Sequence, residues 1–132
     1  AYKEELERLT NFYNLEKVVN FKGSSSKLNE LFSNYSYMIQ PTYMECFSLS
    51  ILESLSANIP VITTTVGGNL EVVTHEKNGF IYEPGDVKKL AKILKEIVTN
   101  NKSIKNDTSL LIEKEFNIEN MVSEHLKVLK CI

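Results

Sequence analysis

The chain has 132 residues, 42% hydrophobic and 24% charged, which is the length and composition of a single globular domain and argues against disorder. Its net charge is −2 and its longest basic run is Lys88-Lys89, so a nucleic-acid groove built on a basic stripe is excluded. No apolar run approaches the ~20 residues of a membrane span. Two cysteines, Cys46 and Cys131, supply neither a disulfide framework nor zinc spacing. His75 and His125 stand apart, and the aspartates Asp86 and Asp107 form no Asp-x-Asp pair, so no metal site is expected.

Tyr2 to about Asn14 reads as an amphipathic helix with Leu6, Leu9 and Tyr13 on one face. The chain opens on Ala rather than Met, which suggests a fragment or a processed chain. Val18-Val19-Asn20-Phe21 is a short strand candidate. Residues 22–26 make a loop, and Lys27 to Asn34 a helix that buries Leu28, Leu31 and Phe32. Ser36 to Gln40 is the next strand, and its apolar run ends at Pro41.

From Pro41 to Pro60 the sequence is P-T-Y-M-E-C-F-S-L-S-I-L-E-S-L-S-A-N-I-P, in which a loop turns into a helix. Val61 to Thr64 follows as a fully buried parallel strand, β-branched throughout, so the unit is a βαβ crossover. A helix beginning near Ser48 leaves its first N–H groups unpaired, which suits an anion such as phosphate. Glu45 lies just outside that helix. Glu53 lies about five residues inside it, roughly 7.5 Å along the axis at ~1.5 Å per residue. Carboxylates accept hydrogen bonds from hydroxyls, so two of them bracketing an anion site suit a ligand with sugar hydroxyls on both sides of a phosphate. The structural alternative is a capping box with Ser50 as N-cap and Glu53 reaching back, and Glu45 as an ordinary loop acid.

Within the helix Ile51, Leu52 and Leu55 are expected in the core, with Ala57 tightly packed. Asn58 suits a C′ position of positive φ, and Pro60 prevents continuation. Gly67-Gly68 permits a close backbone approach, to a ligand or to a neighbouring loop. Asn69 is a candidate cap for a short helix over 70–74, with Glu71 as a ligand or a helix-dipole partner. Asn78-Gly79 turns into the strand Phe80-Ile81-Tyr82. Glu83-Pro84-Gly85-Asp86 is a turn whose Asp86 caps a helix from Val87 to about Asn100. Helices follow over about 108–115 and 118–130, and Met121, Val122, Leu126 and Leu129 form an apolar stripe that reads as core.

Strands alternating with helices imply a Rossmann-like parallel sheet with flanking helices in one domain, 1–132. The chain from Tyr2 to about Leu129 resembles the C-terminal domain of family 4 retaining glycosyltransferases, which have the GT-B fold. The resemblance rests on Pro41 through Glu45 and Glu53 to Pro60-Val61, against P-S-x-x-E-G-F-G-x-x-x-x-E-A-x-A-x-G-x-P-V. It rests also on V66-G67-G68-N-L-E71-V-V and on N78-G79-F-I-Y-E-P-G85-D86, in the family's order and spacing.

The resemblance implies transfer of a hexose, with retention, from a nucleoside diphosphate sugar to a glycan or lipid-linked acceptor. It implies no cofactor beyond that donor, and no nucleic-acid partner. The implied location is cytoplasmic, with peripheral membrane association for a lipid-linked acceptor. Glu45 is implied as the catalytic carboxylate that meets the donor sugar and steadies charge at its anomeric carbon. Glu53 is implied to hold the ribose hydroxyls, and the N–H groups of Cys46, Phe47, Ser48 and Leu49 the phosphate. Four strands, 18–21, 36–40, 61–64 and 79–82, would match strands 3 to 6 of a six-stranded domain. Strands 1 and 2, a basic pair for the diphosphate and the N-terminal GT-B domain would lie outside this sequence, and the chain alone is expected to be inactive. Cys46, Ser48 and Asn58 stand where the family has glycine. They favour the rival reading of a non-catalytic glycosyltransferase-like interaction module. A third reading is another α/β enzyme that binds a nucleotide at the same crevice, since fold alone does not fix function.

Overall fold

The computed structural model describes residues 2–25, 31, 32, 34–100 and 102–130. Its elements in chain order are α1 (Tyr2–Phe12), β1 (Met38–Gln40), α2 (Leu49–Ser56), β2 (Val61–Thr64), α3 (Asn69–Val72), β3 (Gly79–Tyr82), α4 (Val87–Asn100), α5 (Ser109–Glu115) and α6 (Ile118–Lys130). The helix expected over 27–34 falls largely outside the described residues.

The three strands form one parallel sheet in the order β1-β2-β3, with Met38 opposite Val61 and Val61 opposite Gly79. β2 is central and all four of its residues are buried, as a run of β-branched side chains covered on both faces requires. Alternation along the strands divides the core in two. On one face Val61 packs with Ile51 and Leu55 of α2, Val72 and Val73 at the end of α3, and Ile112 of α5. On the other, Ile62, Phe80 and Tyr82 pack with Ile93 of α4, flanked by Leu90, Leu94 and Ile97. The spacing 90, 93, 94, 97 is one helical stripe. Burying a side chain as completely as Leu55 contributes about 1.5–3 kcal/mol.

Several expectations are corrected. Residues 18–21 form no strand: Val18 and Val19 N–H groups close a turn onto the Leu15 carbonyl, and Val18 is exposed. A β-rich tetrapeptide becomes a strand only beside a ladder partner, and among the described residues β1 pairs with β2 alone. The α6 stripe is not core, since Met121, Val122, Leu126 and Leu129 are all exposed and no residue of α6 is buried. Leu9 and Tyr13 of the first helix are exposed too, and so is Ala57. Finally, Asn69 does not cap α3. Gly68 is its N-cap, while Asn69 is buried and donates from Nδ2 to Thr63 Oγ1 at 3.1 Å and to the Thr64 carbonyl at 3.2 Å.

The turn chemistry is as expected. Gly85 has φ +79°, Asp86 N–H bonds back to the Glu83 carbonyl, and Asp86 Oδ1 accepts from Lys89 N–H at 2.8 Å to cap α4. Beyond α4, the Lys102 ammonium lies 2.6 Å from Glu76 Oε1, 3.3 Å from Glu96 Oε2 and 5.2 Å over the Phe80 ring. Its hydrogen bond and charge hold the Glu76 carboxyl below the ordinary carboxylate value.

Asn58 follows α2 with φ +60°, the left-handed conformation that asparagine tolerates best after glycine. Its side chain has a second task, for Oδ1 accepts from Thr108 N–H at 2.9 Å and from Thr108 Oγ1 at 3.2 Å. Thr108 is buried and starts α5, so this contact fastens α5 to the end of α2. Asn58→Ala should therefore lower unfolding free energy by about 2–4 kcal/mol, combining left-handed strain with lost hydrogen bonds. Asn58→Gly should lose only the second part, about 1–2 kcal/mol. Denaturant titration checks this, and equal losses for the two variants would rule out the strain component.

Candidate functional site

The ends of β1 and β2 present a loop built on buried threonines. Thr63 Oγ1 donates to the Gln40 carbonyl at 3.1 Å and Thr64 Oγ1 to the Thr42 carbonyl at 2.7 Å. Both threonines are fully buried, so these bonds fix the path of the chain as it leaves β1. The loop from Pro41 to Phe47 then meets the loop after β2. Gly68 N–H donates to the Cys46 carbonyl at 2.7 Å, and a Cβ on Gly67 would lie 1.8 Å from the Glu45 carbonyl oxygen. The close approach that Gly67-Gly68 permits is therefore to the neighbouring loop, the one that carries Glu45.

Glu45 is half-buried, and both of its carboxylate oxygens are held. Oε2 accepts from Gln40 Nε2 at 3.1 Å and Oε1 from Cys46 N–H at 3.1 Å. Ser48 is the N-cap of α2, its Oγ accepting from Ile51 N–H at 3.4 Å and donating to Gln40 Oε1 at 2.9 Å. The capping box at Ser50 is thus corrected: the helix starts two residues earlier, because Ser48 has extended backbone geometry and Ser50 is already inside the first turn. Glu53 is then free of a capping duty. It is exposed, on the outer surface of α2.

Glu53 lines an open groove of about 630 Å³ with Leu49, Leu52, Ser56 and Ala57 of the α2 segment and Ile112 and Phe116 from α5. The Phe47 ring centroid lies 6.0 Å from that of Phe116, which lines the groove. The structure thus joins Glu45 and Ser48 through Gln40, with Cys46 N–H on Glu45, whereas Leu49 and Glu53 belong to the groove beside them. Tyr82 ends β3, and burial raises its phenol above the ordinary value, with Tyr43 adding to the effect. Among the described residues no cluster of three or more His, Cys, Asp and Glu could hold a metal ion. Gln40 was missed in the sequence because it read as the last residue of a strand; the polar residue before Pro41 was its only local signal.

The profile of the family described as "Glycosyl transferases group 1" matches residues 1–120. The chain belongs to this glycosyltransferase family. It is 30% identical over 104 residues to a sucrose synthase of Solanum tuberosum, covering 69% of this chain and 13% of that protein. It is 32% identical over 74 residues to the capsular polysaccharide biosynthesis glycosyltransferase CapM of Staphylococcus aureus, covering 56% of this chain and 19% of CapM. Among solved structures, Anabaena HepE in complex with UDP superposes with a TM-score of 0.87 at 24% identity, over 99% of this chain and 37% of HepE. The sucrose-phosphate synthase of Thermosynechococcus elongatus superposes with a TM-score of 0.85 at 25% identity, over 98% of this chain and 34% of that one. The glycosyltransferase chain therefore spans well under half the length of these relatives, and its Rossmann-like sheet is that of GT-B enzymes. No described helix is long and apolar enough to cross a membrane.

Proposed function

We propose that this chain is the donor-binding part of a retaining hexosyltransferase, which moves a hexose from a nucleoside diphosphate sugar to a glycan or lipid-linked acceptor. The observation that carries the reading is the Glu45 carboxylate, held at both oxygens at the C-terminal end of β1 beside the start of α2. Open α/β sheets bind ligands at that end of their strands. A fixed carboxylate there accepts hydroxyls of the donor sugar and stabilises positive charge as it develops at the anomeric carbon, with no reorganisation during the step. The N-terminus of α2 favours the diphosphate. Since Cys46 N–H bonds to Glu45 itself, Phe47, Ser48 and Leu49 are the backbone donors assigned to phosphate. Glu53, on the groove beside them, takes the ribose hydroxyls. HepE was also solved with UDP-glucose, which makes UDP-glucose the first donor to try. The N-terminal domain would supply the acceptor side, and the expected location is the cytoplasm, at the membrane surface for a lipid-linked acceptor.

The test is calorimetric titration of the full-length protein with UDP, UDP-glucose and other nucleoside diphosphate sugars. Parent protein should bind at least one of them, and Glu53→Ala should weaken that binding about 10-fold or more, the loss of hydrogen bonds to a charged acceptor. Binding of none would favour the non-catalytic interaction module. Binding unaffected by Glu53→Ala would remove Glu53 from the site.

A further inference from the structure

We infer that Gln40 is a positioning residue for Glu45, and that Ser48 sets its orientation. This rests on the reading of Glu45 as the carboxylate that meets the donor sugar.

The hydrogen bonds leave one arrangement. Ser48 Oγ accepts from Ile51 N–H and gives its own proton to Gln40 Oε1, 2.9 Å away. That places Nε2, the donor end of the amide, toward Glu45. An ionised carboxylate only accepts, and Glu45 Oε2 lies 3.1 Å from Nε2. A flipped amide would set two acceptors against each other there. The Gln40 backbone is fixed as well, since it closes β1 against Thr63 and its carbonyl accepts from Thr63 Oγ1. The chain of donors therefore runs from the first turn of α2 through Ser48 and Gln40 to Glu45. Each bond polarises the next, and the last is charge-assisted. With Cys46 N–H on the other oxygen, the carboxylate cannot rotate about its terminal bond without losing a partner. A glycine at 48 would leave Gln40 Oε1 without this donor. Ser48 in this chain is thus part of the device that holds Glu45.

The experiment measures kcat and donor KM in the full-length protein, with UDP-glucose or whichever nucleoside diphosphate sugar it turns over. The variants are Glu45→Gln, Gln40→Leu, Gln40→Glu and the double variant Glu45→Gln with Gln40→Leu. Gln40→Leu should lower kcat about 10- to 100-fold while donor KM changes less than about 3-fold. In the Glu45→Gln background it should cost less than about 2-fold more, because a residue that acts only through Glu45 has nothing left to position. Gln40→Glu keeps an acceptor for Ser48 but opposes Glu45 with a like charge. It should lose at least as much kcat, and it decides the matter by itself if Gln40→Leu fails to fold. Unchanged kcat in both Gln40 variants, or the same loss with and without Glu45, overturns the role of Gln40 alone. Parental turnover in Glu45→Gln overturns the reading of Glu45, and that of Gln40 with it.

Discussion

Glu45→Gln in the full-length protein should lower turnover by at least about 100-fold, the scale on which a preorganised electrostatic contact to a transition state acts. The substitution keeps shape and removes charge. Its amide also places an N–H₂ against either Gln40 Nε2 or Cys46 N–H, both of which donate to the carboxylate. One hydrogen bond is then lost, a cost of about 1 kcal/mol in stability. The loss of turnover far exceeds what so small a cost in folding explains, so a steady-state assay beside a thermal melt separates the two. Turnover within a few-fold of the parent would remove Glu45 from the chemistry.

Gly67→Ala should be the more damaging change to the structure. Gly67 has φ +53°, and an added Cβ would stand 1.8 Å from the Glu45 carbonyl oxygen and 2.7 Å from its carbon. Both obstacles are backbone, so no side chain can swing aside. Either the Glu45 loop or the loop after β2 has to move. The left-handed conformation alone costs an alanine about 1–2 kcal/mol. Displacing a loop tied down by Thr63, Thr64 and Gly68 raises the total to at least about 3 kcal/mol, by denaturant titration. Turnover of the full-length variant should fall at least about 10-fold if the displaced Glu45 is, as proposed, the residue that meets the sugar. Gly23→Ala is the control. Gly23 also has positive φ, at +71°, but an added Cβ there meets nothing within 4 Å. If the two variants proved equally stable, the contact between Gly67 and Glu45 would not be the constraint described.

Much of the architecture was legible along the chain. The β-branched run Val61–Thr64 declared a central strand, because only a strand covered on both faces is apolar or β-branched at every position. Pro84, Gly85 and Asp86 declared their turn and cap, and Asn58 its positive φ, because each depends on the residue's own backbone and near neighbours. The spacing of Glu45 and Glu53 put one in a loop and the other in a helix for the same local reason.

What the sequence could not specify was which groups meet across distance. Val18-Val19-Asn20-Phe21 has the composition of a strand and is not one, since pairing needs a neighbour that local propensity does not supply. The α6 stripe has helical spacing and stays exposed, since amphipathicity says nothing about what lies opposite. Thr63 reaches back 23 residues to the Gln40 carbonyl, and Thr108 reaches back 50 to Asn58. Gln40, Glu45 and Ser48 are close in sequence, yet they converge only because β1 is held against β2 and the Gly67-Gly68 loop presses on the chain between them. Local rules fix φ, ψ and periodicity. The partners of a carboxylate are fixed by packing, which is why the tertiary structure alone decided how Glu45 is held.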